Sequence, residues 1–137
     1  MKNIGILLLL FMLSSLAMAQ KKDRTDAFMY NKNGMYDKAM TSIEKCINHE
    51  QFYLMRPADQ ARAWLYRATI YCNILSQGSA TTLCPNAKMR AAQSLQKIYE
   101  TDPQFAEEEE NKKQIKDLTD RIGFMLLPSL KPRPGRL

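Results

Sequence analysis

Cys46 and His49 stand three residues apart, and on a helix that spacing puts a thiol and an imidazole on one face, where they could act as two metal ligands. Nothing elsewhere in the chain supplies a matching pair, so no metal site is expected. His49 is also the only histidine. A hydrolase using histidine as its base would have to be built around a residue at the end of a helix, with no evident nucleophile beside it. The run Glu107 to Glu110 suggests a cation or basic-partner site. The stronger reading is a solvated helix start, since acids near a helix N-terminus favour the macrodipole and Glu108 and Glu109 each have a lysine four residues on, Lys112 and Lys113. The methionines beyond residue 19 fall on helical stripes and read as core filling rather than copper ligands. There is no Gly-rich phosphate loop and no pair of carboxylates in distinguishable surroundings. Catalytic residues, metal and cofactor are therefore all unassigned, and an enzyme is not expected. What remains reactive is an odd set of three cysteines, Cys46, Cys72 and Cys84, whose state depends on the compartment.

The first residues, "MKNIGILLLLFMLSSLAMAQ", address that compartment. A lysine near the start, an apolar run from Ile4 to Leu13 and a small-x-small ending at Ala17-Met18-Ala19 form the pattern of a secretory signal, with cleavage expected after Ala19. The unbroken apolar run is shorter than the roughly 20 residues needed to span a bilayer. Gln20, not cysteine, follows the expected cut, so a lipid anchor is not expected. The destination is periplasmic or secreted. Removing residues 1–19 takes away Lys2 and no acid, lowering the formal charge from +6 to +5. Bases and acids are interleaved, with no dense basic and aromatic platform of the nucleic-acid type. The excess is compatible with an acidic partner. The remaining residues suffice for one domain with a core of its own.

Apolar spacing is helical throughout, and no stretch alternates with period two, so the class is all-α. A first helix is expected over Asp23–Asn33, stopped by Gly34, and a second over Tyr36–His49 with Ala39, Met40, Ile43, Cys46 and Ile47 on one face. The third carries Ala61, Trp64, Leu65, Ala68, Tyr71, Cys72 and Leu75 in one stripe. The fourth begins near Pro85-Asn86, turns Ala91, Leu95, Ile98 and Tyr99 inward, and ends before Asp102-Pro103. The fifth runs from Ala106 to Leu126 with Ile115, Leu118, Ile122 and Met125 as its seam. The ending "PSLKPRPGRL", residues 128–137, is read as an extended, Pro-rich basic tail.

Trp64, Ala68 and Tyr71, followed by Ala91 and Leu95 and closed by Pro103, resemble the tetratricopeptide repeat pattern. Ala27, Tyr30, Gly34, Tyr36, Ala39 and Ile43 resemble an earlier, weaker copy. The departures are Asp23 and Asp26 in place of the first copy's tryptophan and leucine, and Arg67 in place of the second copy's leucine. The resemblance implies two stacked helix pairs over residues 20–127 with a closing fifth helix, in which Ala27 with Ala39 and Ala68 with Ala91 let paired helices approach closely. Phe52, Tyr53, Leu54 and Met55 lie between the copies. They either pack over the open end of the array or form a contact surface, with self-association as one outcome. In such an array Cys46 and Cys72 lie near opposite ends of a layer, whereas Cys84 stands at the end where the third helix finishes. A Cys72–Cys84 bridge is thus one expectation, and three buried thiols the other.

In repeats of this kind the first helix of each pair lines a concave groove. The resemblance places Arg24, Phe28, Asn31 and Lys32 on one wall and Arg62, Leu65, Thr69 and Asn73 on the other. Arg24, Lys32 and Arg62 make that surface basic, and Phe28 and Leu65 give it apolar anchors. The expected function is a non-enzymatic adaptor or scaffold that receives an extended or helical peptide of acidic character. The alternative is a structural subunit of an envelope assembly, joined through residues 52–55 and the basic tail.

Overall fold

Gly34 reverses the chain with φ 76°, a left-handed value that glycine reaches without a Cβ clash. Around it Met35 N–H bonds to Tyr30 O at 2.8 Å and Gly34 N–H to Asn31 O at 3.1 Å, the two bonds of a Schellman cap. This is a computed structural model, which describes residues 2–77 and 83–123. The turn joins α1 (Lys2–Lys32) to α2 (Tyr36–Ile47). A 3-10 turn at Phe52–Leu54 leads to α3 (Pro57–Ser76), and α4 (Ala87–Thr101), α5 (Pro103–Glu107) and α6 (Glu109–Gly123) follow. The fold is all-α, with no strand among the described residues. No helix among them is long and apolar enough to cross a membrane.

Cross-helix contacts fix how the helices lie. Tyr30 meets Lys38 near the turn, Asp23 meets Lys45 further along, and Gln20 meets His49 beyond that, so α1 and α2 are antiparallel. Tyr71 reaches Arg90 while Arg67 reaches Ser94, which makes α3 and α4 antiparallel as well. Between the two pairs, Arg24 touches Asp59, Phe28 touches Tyr66 and Asn31 touches Asn73. Both numbers rise together, so α1 and α3 run the same way. Ala27, Ala39, Ala68 and Ala91 are all fully buried.

The central helix is α3, which packs on α1, α2, α4 and α6. One apolar stripe is consequently too narrow a description of it. Ala63, Ile70 and Ile74 are buried with Ala61, Leu65, Ala68, Tyr71 and Cys72, whereas Trp64 and Leu75 at the stripe's edges are only partly covered.

Expectations are corrected at four places; at the first, Tyr99 of α4 is 49% exposed rather than turned inward. The helix expected to begin at Asp23 continues without a break from Lys2, through the residues read as a signal. The single fifth helix is two, because Asp102 caps α5 by accepting from the Gln104 and Phe105 N–H groups, and Glu108 then takes an extended conformation (φ −60°, ψ 134°). Asn111 holds that break, donating to Phe105 O and to Glu108 Oε2, both at 3.1 Å. As a result the acidic run straddles two helices, and Lys112 pairs across the break with Glu107 at 3.6 Å rather than with Glu108. Finally, residues 52–55 divide between packing and exposure. Phe52 is buried edge-on against Trp64, with centroids 6.0 Å apart, while Tyr53 and Leu54 are 82% and 72% exposed. Met125, Leu126 and the tail 128–137 lie outside the described residues.

Candidate functional site

A cavity of about 450 Å³ opens between α1, α3 and α6. Five of the residues expected in a groove line it: Phe28 and Asn31 from α1, and Arg62, Leu65 and Thr69 from α3. The parallel run of α1 and α3 brings them together. Phe28, 43% exposed, lies 5.3 Å from the Tyr66 ring, forming an aromatic shelf open to solvent. Leu65, only 2% exposed, belongs to the floor rather than the rim. Asn73 closes one end, donating to Asn31 Oδ1 at 2.9 Å and accepting from Arg121 at 3.2 Å.

Arg24 and Lys32 do not line the cavity. Arg24 instead donates to Asp59 Oδ1 at 3.1 Å and Asp59 O at 3.3 Å, tying α1 to the first turn of α3. Burial opposes the Asp59 charge, but hydrogen bonds from Arg56 and Arg24 and their positive charges prevail and hold its carboxyl below the usual range. The third wall is α6, whose Glu110, Gln114, Asp117, Leu118 and Arg121 face inward. Its acids balance Arg62 and Arg121, so the basic groove expected from α1 and α3 alone is a cavity of mixed charge. The signal for this wall was present. Those five residues share one stripe of a 3.6-residue period, which a closing helix alone does not require.

A second polar centre lies between α2, α3 and α4, built around Arg67. Arg67 Nε donates to Glu44 Oε1 at 2.6 Å, and its Nη1 donates to Ser94 Oγ at 2.9 Å, Arg90 O at 3.2 Å and Gln93 Oε1 at 3.3 Å. Tyr71 OH donates to the same Glu44 oxygen at 2.7 Å and accepts from Arg90 Nη1 at 2.8 Å. Burial opposes ionisation of Glu44, but the bonds from Arg67 and Tyr71 and the charges of Arg67 and Arg90 outweigh it and keep its carboxyl below the usual range. Burial, with the Glu44 hydrogen bond, pushes the Tyr71 phenol up to about 12. Spacing gave no sign of Glu44, Arg90 or Ser94, because each is an ordinary polar residue on its own helix.

His49 is a structural residue here. Its Nδ1 lies 3.1 Å from the Gln51 backbone N–H, which can only donate, so Nδ1 is the acceptor, and Gln20 Nε2 approaches it at 2.9 Å. The thiol of Cys46 points elsewhere, donating to Gln20 O at 3.6 Å. No group of three His, Cys, Asp or Glu among the described residues could hold a metal.

The Cys72–Cys84 bridge is not formed, and Cys46, Cys72 and Cys84 are all buried free thiols. Each behaves as a small apolar side chain in the core. Burial pushes both Cys46 and Cys72 up to about 11. Because the thiolate is the nucleophile, native protein at pH 8 is expected to react slowly with a thiol reagent, and unfolded protein under non-reducing conditions to yield three thiols. A yield of one thiol would instead establish a bridge.

The chain matches no protein-family model, no curated protein and no solved structure.

Proposed function

We propose that this protein is an exported, non-enzymatic interaction module of tetratricopeptide-like construction, whose cavity between α1, α3 and α6 receives a short segment of a partner protein. The observation that carries this reading is the exposed Phe28–Tyr66 shelf over a cavity large enough for a side chain and its neighbours. Aromatic anchors at the centre of a concave site supply most of the affinity in such contacts. The parallel α1 and α3, each followed by an antiparallel partner, support the repeat-like construction. Export rests on the signal-like residues 1–19. With Arg62, Arg121, Glu110 and Asp117 all lining the cavity, the fitting segment presents one apolar side chain flanked by polar groups of both signs, rather than a run of acids.

Phe28→Ala combined with Arg62→Glu is expected to lower recovery of that partner by about tenfold or more in a pull-down, the loss of roughly 1.4 kcal/mol or more of binding energy. Circular dichroism must show the variant folded, because Arg62 also stacks over the Phe105 ring at 5.3 Å. Undiminished recovery would remove the cavity from consideration. A second reading, a subunit of a larger assembly, is favoured by one specific observation, the protruding Tyr53 and Leu54.

A further inference from the structure

Arg67 and Arg90 set two positive charges against the one negative charge of Glu44 beside a cleft of about 410 Å³, on a different side of α3 from the cavity between α1, α3 and α6. The Arg67 guanidinium also lies over the Trp64 and Tyr71 rings and that of Arg90 over Tyr71. Arg67 is nine-tenths buried, with its side chain only 8% exposed. Its Nε and Nη1 are engaged, and because no buried side-chain nitrogen or oxygen among the described residues lacks a partner, its unbonded Nη2 reaches solvent. Arg90 likewise uses only Nη1, which donates to the Tyr71 hydroxyl at 2.8 Å and pairs at 4.0 Å with Glu44 Oε1. Gln93 presents Oε1 to Arg67, an arginine being unable to accept, so its NH₂ group is turned the other way. Gln96 gives its amide N–H to Glu100 and serves as wall rather than ligand. The cleft also adjoins the start of α4, where Asn86 makes no side-chain cap and the first turn holds no acid. A helix start without a side-chain cap carries a partial positive charge, although here the Ala87 N–H is already taken by Cys84 O at 3.2 Å.

From this convergence we propose that the cleft between α2, α3 and α4 binds a small phosphate-type oxyanion. Arg90 grips it, Arg67 Nη2 and the Gln93 amide donate from the floor, and the N-terminal end of α4 supplies the remaining positive potential. Arg90 suits such a ligand because its guanidinium keeps paired planar donors for tetrahedral oxygens, and Arg67 adds its Nη2 donor alone. Glu44 does not repel it strongly, because its inner oxygen is already engaged by Arg67 and Tyr71.

The test follows thermal unfolding of the full chain during titration with inorganic phosphate, and separately with glycerol 3-phosphate, against chloride at matched ionic strength. A saturable rise in Tm is expected for the wild type with at least one of the two. Arg90→Gln, at a half-exposed position that circular dichroism can show to be folded, is expected to raise the apparent Kd at least about tenfold. Arg90→Lys is expected to keep part of the affinity, and Arg62→Gln, in the other cavity, all of it. Absence of a saturable rise with both ligands, or equal rises in the wild type and Arg90→Gln, would overturn the proposal.

Discussion

Replacing Glu44 by leucine is expected to lower the unfolding free energy by about 3 kcal/mol, the lower end of what is lost when one partner leaves a buried ion pair. The variant strands Arg67 in the core with no carboxylate. Its bonds to Ser94, Gln93 and the Arg90 carbonyl remain, which is why the lower end applies. Arg67→Leu is expected to lose less, because Glu44, with its side chain 26% exposed, keeps contact with water and with Arg90. The double variant is expected to recover part of the single-variant loss, the signature of a coupled pair. Urea unfolding of the four proteins decides this. Equal losses from the two singles with no recovery in the double would contradict the pairing.

The same carboxylate sets an acid limit. Its pKa lies lower in the folded than in the unfolded chain, so the unfolded chain takes up the proton first as pH falls. The stabilisation is therefore complete above the unfolded carboxylate range and is lost as pH falls through the folded value. Asp59, shifted the same way by Arg56 and Arg24, adds to the loss in that window. Glu44→Gln is expected to flatten the acid limb without abolishing it.

Phe52→Ala is expected to be the most destabilising single change in the segment between the helix pairs, at about 3 to 5 kcal/mol, because it empties a fully enclosed aromatic site against Trp64. Tyr53→Ser with Leu54→Ser is expected to change stability by no more than about 0.5 kcal/mol, since both side chains stand in solvent. That contrast makes the double variant a clean probe of the assembly reading. If copies of the chain associate through this turn, light scattering of the wild type shows mass rising with concentration and the double variant stays monomeric. Concentration-independent mass in both proteins would leave the turn no role in self-association.

Much of α1 to α4 could be read from the sequence because the signals were local: Gly34 with its cap, the Asp102-Pro103 stop, and alanines at buried helical positions. The break at Glu108 was hidden, since glutamate is a good helix former and the kink is made by Asn111 reaching back to Phe105 O. The candidate cavity was half visible. Its α1 and α3 walls followed from the repeat resemblance, whereas the pairing of Arg24 with Asp59 joins residues far apart in sequence and carries no periodic trace. The same holds for Glu44 with Arg67 and Arg90. The departure at Arg67 marked the place without naming its partners.

The stacking order also bears on how the chain acquires its shape. Apart from α6 reaching back to α3 and α4 and α1 lying along α3, each helix packs on its immediate successor. Contacts so close in sequence require little loop-closure entropy, and domains dominated by them fold in microseconds to milliseconds. A chain emerging N-terminus first can thus close the α1/α2 hairpin before α3 is present, with Glu44 still hydrated. The hairpin leaves the inner face of α2 uncovered until α3 and α4 arrive, and their arrival is also what first surrounds Glu44 with donors. Desolvation of that carboxylate and burial of the apolar face are then one event, so the half-built chain never holds an unpaired charge in a closed core.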